Sequence, residues 1–308
     1  MRKVSIVVPL HNESESLPLL VKAISEVMGS SGFEYEIVFV DDGSTDNSFD
    51  VLKELRVQYG SFLRLFRFSR NYGKSAALSV GIKQALGDVI ITMDADLQDD
   101  PVAIPEMLKK IDEGWDVVSG WKKKRFDPVS FTFPSKIWNI ITSILSGVKL
   151  HDFNCGFKAY RACAAKSLDI YGDRHRYLPA LAHWDGFKVT EIAVPHHPRQ
   201  FGKSKYGFSK FFNGTLDMLT LLFLRKYFKS PLHFFGLFGF LMIMLGSVVL
   251  GYFGVEWIIT GYMKVRPLVV LSMGAVIVGV QLLFFGFLAE MIIHMAPKDS
   301  YTIRETVE

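Results

Sequence analysis

Four carboxylates lie within seven consecutive positions of this sequence: Asp94, Asp96, Asp99 and Asp100. They follow the apolar run Asp88–Met93, which is typical of a buried strand. Because an unpaired carboxylate is costly to bury, the cluster must contact solvent, a cation or both. Asp94 and Asp96, with the amide oxygen of Gln98, form an oxygen-ligand set that Mg²⁺ or Mn²⁺ could share with a substrate phosphate. Taken alone, an Asp-x-Asp pair is also typical of a polar strand end that leads into a helix.

The segments around this cluster alternate between short β-branched strands and helical stretches over residues 1–120. This alternation predicts a parallel sheet with helices on both faces. The predicted strands are Val4–Val8, Tyr35–Val40, Phe62–Phe68, Asp88–Met93 and Trp115–Ser119. The predicted helices are Glu13–Met28, Asp46–Val57 and Lys74–Leu86.

Polar clusters follow four of the predicted strands: His11–Glu13, Asp41–Ser44, Asn71–Lys74 and the carboxylates from Asp94 onward. Because ligands of open α/β sheets bind beyond the carboxyl ends of the strands, this agreement predicts an active site on one edge. Asp41 and Asp42 could accept hydrogen bonds from a nucleotide, although an ordinary turn before a helix would use the same residues. The sequence has neither a G-x-G-x-x-G fingerprint after the first strand nor a G-x-x-x-x-G-K-[ST] P-loop.

The composition argues against a nucleic-acid-binding protein. The chain has 308 residues and a net charge of +4, and no Lys/Arg run carries interleaved aromatic residues. Hydrophobic residues make up 49% of the chain and are concentrated after Pro231. Cys155 and Cys163 predict reduced thiols rather than a disulfide framework. Because strand-like sequence begins at Lys3, we expect no signal peptide and a catalytic part that stays in the cytosol.

Two apolar stretches without Asp, Glu, Lys or Arg predict a transmembrane hairpin: Leu232–Gly254 and Pro267–Ala289. Each would form a helix of about 35 Å, enough to cross a hydrocarbon core of about 30 Å. A buried hairpin of a soluble domain is the alternative. The Lys and Arg residues on the outer flanks predict that both termini are cytosolic. The predicted domains are a catalytic domain (1–206), an amphipathic juxtamembrane helix (207–230), two spans (within 231–296) and a polar tail (297–308).

A basic run, Lys122–Arg125, precedes an apolar helical pattern over Phe131–Val148. The combination favours a helix on a membrane surface near anionic headgroups, and a solvated loop followed by a core helix is the alternative. Asp152 follows in a loop. Farther along the chain, Arg199–Tyr206 is basic and contains Gly202, so this segment could close over a diphosphate.

Six motifs, in this order, resemble glycosyltransferase family 2 and more closely its polyprenyl-phosphate glycosyltransferases (dolichol-phosphate mannosyltransferase-like and bacterial GtrB-like). They are Val7–Glu13, Asp41–Asp46, Asn71-x-Gly73-Lys74, Asp94-Ala95-Asp96-Leu97-Gln98-Asp99-x-Pro101, Cys155–Lys158 and Arg199-x-x-Gly202-x-Ser204-Lys205-Tyr206. The resemblance covers residues 1–230, and the two-helix tail matches the GtrB-like branch. It implies a GT-A fold, which is a Rossmann-like α/β architecture.

The resemblance also implies roles for individual residues. The nucleotide would be bound by Pro9, Asn12, Glu13, Asp41, Asp42, Lys74 and Asp94. The divalent ion would be held by Asp94, Asp96 and Gln98, and the catalytic carboxylates would be Asp96 and Asp152. The loop that closes on the diphosphate would contribute Arg199, Ser204 and Lys205. The lipid phosphate would be bound by Lys122 and Lys136, where relatives often have Arg with its bidentate fork.

The activity implied by this resemblance is inverting transfer of a sugar from a nucleotide sugar to undecaprenyl or dolichyl phosphate at the cytosolic membrane face. UDP-glucose is the predicted donor, with GDP-mannose or another UDP-sugar as the alternative. A membrane scaffold that retains the fold without activity is the alternative of another class. A processive polysaccharide synthase is disfavoured because the sequence has no Q-x-x-R-W motif and only two predicted spans. The predicted partners are the donor, the polyprenyl phosphate, the bilayer, a second copy of the chain and a small membrane flippase.

Overall fold

The computed structural model describes residues 2–123, 139–170, 172, 174–198, 220, 230–262 and 266–295. The chain forms two compact units, residues 1–218 and residues 219–308.

The first unit is built on a seven-stranded mixed sheet with the strand order β3-β2-β1-β4-β6-β5-β7. The strands are β1 (Lys3–Leu10), β2 (Glu34–Asp41), β3 (Leu63–Arg67), β4 (Val89–Thr92), β5 (Val117–Trp121), β6 (Lys158–Arg161) and β7 (Val189–Ala193). Only β6 is antiparallel to its neighbours, β4 and β5. The start of β6 therefore lies at the same edge of the sheet as the carboxyl ends of the other strands.

Helices cover both faces of the sheet, as the alternating sequence predicted. They are α1 (Leu17–Ser31), α2 (Ser48–Tyr59), α3 (Lys74–Gln84), α4 (Ile104–Asp112), α5 (described over 139–146), α6 (Ala162–Ser167) and α7 (Leu178–Trp184). One core cluster packs α1, α2 and α4 against alternate strand residues such as Ile6 and Phe39. The other packs α3, α6 and α7 against residues such as Val7 and Val38. Because both faces are buried, β1 is apolar along most of its length.

The four predicted strands β1 to β4 are present with ends shifted by one or two residues. The first helix begins at Leu17 rather than at Glu13, because Asn12 has a left-handed backbone (φ 57°) and a turn precedes Ser16. The fifth strand is Val117–Trp121 rather than Trp115–Ser119. Strands β6 and β7 were not predicted, since β6 has only four residues and pairs with partners far away in the sequence.

Helix α5 falls within the predicted interfacial helix Phe131–Val148, of which 131–138 lie outside the described residues. Its apolar side chains are not all buried, since Ile140 is 61% exposed and Ile144 is 75% exposed. The hydroxyl of Ser143 donates to the carbonyl of Val148 at 2.7 Å.

The second unit contains two long apolar helices, α8 (Pro231–Thr260) and α9 (Pro267–Met295). Both extend beyond the predicted spans and leave a short connector. Their mean hydropathies are 2.3 and 2.5, and only 11% and 17% of their most apolar segments are buried, unlike core helices of a soluble domain. Most of the predicted segment 207–230 and the whole of 297–308 lie outside the described residues.

The two helices of the hairpin approach closely at glycines. A Cβ atom on Gly239 would lie 2.6 Å from the carbonyl oxygen of Gly279, and one on Gly246 would lie 2.7 Å from that of Ser272. Small residues at helix contacts are typical of helices that associate without a hydrophobic driving force. At the open end of the hairpin, the Glu290 carboxylate accepts a hydrogen bond from the amide of Leu232 at 3.4 Å.

Candidate active site at the carboxyl edge of the sheet

The carboxylates that follow β4 lie at the centre of the sheet edge. The ammonium of Lys74, from the first turn of α3, lies 2.5 Å from the Asp94 carboxylate. A Cβ atom on Gly156 would lie 2.7 Å from the same carboxylate, so any larger residue there would displace the Asp94 side chain. Leu97 has a left-handed backbone with φ 59°, which is strained for a non-glycine residue. This turn reverses the chain between Asp96 and Gln98.

The charges around Asp94 keep it ionised. Burial alone would raise the pKa of this carboxyl group, but the Lys74 ammonium outweighs burial and lowers it to about 2. Asp94 is therefore a carboxylate at every physiological pH, and Lys74 is a cation already in place against it.

The donor set fits a hard divalent ion that shares its coordination sphere with a substrate. Asp94 and Asp96 supply carboxylates, and Gln98 supplies an amide oxygen on the same turn. The Asp96 carboxylate accepts a hydrogen bond from the backbone N–H of Gln98 at 3.2 Å. No group of three or more His, Cys, Asp or Glu side chains forms a metal site among the described residues. Two carboxylates are nevertheless the usual number for Mg²⁺ that also binds substrate phosphates.

A cleft of about 740 Å³ opens beside this centre, beyond the ends of β1, β2 and β3. It is lined by His11, Gly43, Ser44, Thr45, Arg67, Phe68, Ser69, Arg70 and Asn71. Gly43 has φ 67°, and a Cβ atom there would lie 2.4 Å from the backbone carbon of Arg70. The two loops of the cleft thus meet at a position that only glycine can occupy. The volume, the two arginines and the polar walls suit a nucleotide.

Asp41 and Asp42 are buried and bind the protein itself. The Asp41 carboxylate accepts a hydrogen bond from the Ser44 amide at 2.9 Å and pairs with Arg67 at 3.2 Å. The Asp42 carboxylate accepts hydrogen bonds from the amides of Tyr72 and Gly73 at 2.7 and 2.9 Å. Both carboxylates therefore shape the walls of the cleft.

The segment after β1 is tied to the segment after β2. The side-chain oxygen of Asn12 accepts a hydrogen bond from the Thr45 backbone N–H at 2.8 Å, and the backbone N–H of Asn12 donates to the Ser44 hydroxyl at 2.9 Å. The Glu13 amide donates to the Ser48 hydroxyl at 2.9 Å. Pro9 is buried within β1. These predicted nucleotide-binding residues lie together on the side of the sheet edge that bears the cleft.

Lys122, a predicted lipid-phosphate residue, points toward the interior. Its ammonium lies 2.8 Å from the Asp99 carboxylate, and only 13% of its side chain is exposed. Burial favours the neutral amine, but the Asp99 carboxylate outweighs burial and raises the pKa of Lys122. The positive charge of Lys122 is thus neutralised by Asp99 within the protein. The other predicted phosphate-binding residues lie outside the described residues: Lys136, Arg199, Ser204 and Lys205.

Asp152 is 1% exposed and lies in the segment before β6. Its carboxylate accepts a hydrogen bond from the Asn154 amide at 3.1 Å. Since Gly156 of the same segment packs against Asp94, the structure brings the loop of Asp152 to the carboxylate cluster.

His175 is a site residue that sequence reasoning did not identify. Its Nδ1 atom is hydrogen bonded to the Ser75 hydroxyl at 2.8 Å. Burial, followed by the nearby Lys74 ammonium, lowers the pKa of His175 well below its usual value, which keeps the ring neutral. The sequence showed only a basic segment around position 175. Nothing in that pattern placed the ring beside α3 and Asp94.

Comparison with known proteins places these features in a family. The model of glycosyl transferase family 2 matches residues 5–168. The chain belongs to glycosyltransferase family 2. A second model, the glycosyltransferase family 2 C-terminal transmembrane region, matches residues 222–293. The predicted family membership is confirmed, and the chain is a membrane protein.

Two relatives resemble this glycosyltransferase over nearly its whole length. The dodecaprenyl-phosphate galacturonate synthase of Rhizobium johnstonii is 36% identical over 98% of this chain and 92% of its own. The undecaprenyl-phosphate 4-deoxy-4-formamido-L-arabinose transferase of Klebsiella pneumoniae is 34% identical over 92% of this chain and 87% of its own.

Among solved structures, glucosyl-3-phosphoglycerate synthase from Mycobacterium tuberculosis has a similar fold. The TM-score is 0.55 at 18% identity, over 73% of this glycosyltransferase and 78% of the other chain. That crystal structure contains Mn²⁺, uridine diphosphate and phosphoglyceric acid. The likeness confirms the GT-A fold.

Proposed function

We propose that this glycosyltransferase transfers a sugar from a nucleotide sugar to a polyprenyl monophosphate at the membrane surface. The observation that carries the proposal is the Asp94–Gln98 turn with Lys74, next to a nucleotide-sized cleft, in a chain with two exposed apolar helices. Both relatives described above are named for a polyprenyl-phosphate product or acceptor.

In this proposal the nucleoside lies in the cleft between the loops of Gly43 and Arg70. Lys74 contacts the donor diphosphate, and Asp94, Asp96 and Gln98 hold Mg²⁺ or Mn²⁺ against the same phosphates. The bound ion would offset the negative charge that develops on the leaving diphosphate. Arg199 and Lys205 would add positive charge to the diphosphate site and Ser204 a hydroxyl donor, and Lys136 would face the lipid phosphate. Lys122 would bind the lipid phosphate only by releasing Asp99, with which it is paired in this structure.

The reaction is a single displacement with inversion. An oxygen of the acceptor phosphate bonds to the anomeric carbon while the bond from that carbon to the nucleoside diphosphate breaks. Because the acceptor phosphate is already ionised near neutral pH, no strong general base is required. Asp152 therefore orients the acceptor or the sugar, and Asp96 acts through the divalent ion.

The donor in this proposal is a UDP-sugar, with UDP-glucose first by resemblance to the GtrB-like branch. The names of the two relatives add galacturonate and 4-deoxy-4-formamido-L-arabinose to the sugars that must be tested. GDP-mannose is the alternative donor.

The membrane arrangement follows from charge and apolar surface. Helices α8 and α9 cross the bilayer as a hairpin with both termini in the cytosol, because the positive charge is on the outer flanks. Helix α5, through Ile140 and Ile144, lies on the cytosolic surface. A cytosolic donor can then meet an acceptor that stays in the bilayer. Two spans per chain also favour a homo-oligomer.

The test is transfer of radiolabel from a panel of nucleotide sugars into the organic phase. Membranes that contain the protein are incubated with Mn²⁺ or Mg²⁺ and undecaprenyl or dolichyl phosphate. We expect label from one donor, loss of label with EDTA or with Asp96→Ala, and full activity of Asp50→Ala, which removes an exposed carboxylate of α2. Folded protein that neither binds Mn²⁺–UDP nor transfers any sugar would refute the proposed activity. It would favour the alternative of a membrane scaffold that retains the fold without activity.

A further inference from the structure

The segment 151–157, between α5 and β6, has no regular secondary structure, yet four of its seven residues are buried. Asp152 and Phe153 are each 1% exposed, and Cys155 is 2% exposed. Buried backbone without a helix or strand must find hydrogen-bond partners elsewhere. In this segment most of those partners are side chains.

The first of these side chains is Lys158, at the start of β6. It is 2% exposed, and its ammonium donates hydrogen bonds to the carbonyl oxygens of Phe153, at 3.4 Å, and Cys155. A buried ammonium is costly unless it has such partners and opposite charge nearby. Burial lowers the pKa of Lys158, and the negative charges of Asp152 and Asp94 act in the opposite direction.

The second is Asn139 of α5, which is 4% exposed. Its side-chain amide donates to the carbonyl of His151 at 3.0 Å, and its side-chain oxygen accepts from the amide of Phe153 at 3.4 Å. One side chain thus bonds the residues on either side of Asp152. A further contact fixes the far end of the segment, where the Thr92 hydroxyl donates to the carbonyl of Gly156 at 2.8 Å.

We propose that Asn139 and Lys158 are positioning residues that hold Asp152 at the reacting centre. Asn139 bonds the two neighbours of Asp152, and Lys158 bonds the carbonyls of Phe153 and Cys155 that follow it. Neither side chain needs to touch a substrate. The inference rests on the proposed function, because Asp152 has a task only if the transfer takes place there. It also connects Asp152 to α5, the helix with exposed Ile140 and Ile144.

The decisive experiment is a double-mutant cycle with Asp152. We expect Asn139→Ala and Lys158→Met each to lower kcat about 10- to 100-fold, the scale on which small misplacements act, with KM for the nucleotide sugar changed less than about threefold. In an Asp152→Ala background the same substitutions should lower kcat less than about twofold. If they lower kcat by equal factors in both backgrounds, they act through general damage and the proposal is overturned.

Matched variants separate positioning from loss of stability. Ser143→Ala removes another side-chain hydrogen bond of α5, and Ala159→Gly loosens β6 beside Lys158. We expect both to keep kcat within about twofold of the wild type even where Tm falls as far as in the Lys158 variant. A kcat that simply followed Tm across all four variants would overturn the proposal.

Amide hydrogen exchange of the full-length protein tests the same inference without activity. Lys158→Met and Asn139→Ala should speed exchange in 151–157 about tenfold or more and leave β1 and β2 unchanged. Unchanged exchange in 151–157 would overturn the inference. Wild-type protein that transferred no sugar would instead refute the proposed function, while the exchange result would still decide whether the two side chains hold this segment.

Discussion

Each end of the same sheet holds a carboxylate beside a cation, and the surroundings of the two carboxylates differ. At the amino end, Glu36 of β2 accepts hydrogen bonds from the Ser5 hydroxyl at 2.5 Å and the Leu86 amide at 2.7 Å. Its second oxygen faces Arg64 at 3.3 Å and Lys3 at 3.8 Å. Only 3% of the Glu36 side chain is exposed. Every part of this carboxylate has a partner within the protein.

At the carboxyl end, the one ion pair of Asp94 among the described residues is with Lys74, and 29% of the Asp94 side chain is exposed. The Lys74 ammonium is on a flexible stem, and we expect an incoming divalent ion to displace it. A carboxylate with all of its partners holds the fold together, whereas one with a displaceable partner can bind a ligand. Sequence alone shows an acidic residue in both places.

The largest expected effect is that of Asp94→Asn. It removes the charge that would bind the divalent ion, so we expect sugar transfer to fall about 10²- to 10³-fold while Tm stays near that of the wild type. Transfer assays measure the activity, calorimetric titration with Mn²⁺ measures ion binding, and thermal unfolding measures Tm. Retained transfer with normal Mn²⁺ binding would show that Asp94 does not bind the divalent ion, and the contrast with Glu36 would fail.

Lys74→Met should lower transfer about 100-fold, since one charged contact to the diphosphate is lost. The same variant leaves the Asp94 carboxylate without its ammonium, so Mn²⁺ should raise Tm more in the variant than in the wild type. Thermal unfolding with and without Mn²⁺ tests this. An equal rise in both proteins would mean that Lys74 does not occupy the place of the ion.

Glu36→Gln should lower the stability of the protein and leave its activity nearly unchanged. The amide cannot satisfy the donors that meet at this position, which costs about 1–3 kcal/mol of unfolding free energy. We expect Tm to fall by about 2–4 °C for each kcal/mol, while kcat of the folded protein stays within about twofold. A large loss of kcat at unchanged Tm would contradict a structural role for Glu36.

The smallest expected effect is a pH dependence of the Tm difference between the wild type and Glu36→Gln. Burial by itself raises the pKa of Glu36, but the Ser5 hydroxyl, the Leu86 amide and the cations Lys3 and Arg64 together lower it below 4.5. The ionised carboxylate therefore stabilises the fold above pH 4.5, and this stabilisation is lost as pH falls through the lowered pKa. The Tm difference between wild type and Glu36→Gln should be constant from pH 7 to 5.5 and shrink below pH 4.5. A difference that grows toward low pH would show that the pKa is shifted the other way.

The sequence predicted the elements that depend on local pattern. Strands β1 to β4 and helices α1 to α3 follow from periodicity and β-branched runs, and the two apolar helices follow from length and composition. The place of the Asp94–Gln98 turn followed from one rule, that parallel strands present their carboxyl ends on one edge. The family resemblance added the roles expected of single residues, which remain predictions.

The sequence by itself thus determined the fold class, the family and the edge of the sheet that bears the candidate site. Only the tertiary structure decided which polar residues are partners. It placed Lys122 on Asp99, Lys74 on Asp94, and Asn139 and Lys158 around the segment of Asp152. The physical reason is that strand and helix patterns repeat over a few residues, whereas hydrogen bonds and ion pairs join side chains that the chain separates by dozens of residues. The direction of each buried side chain is fixed by packing from several elements at once.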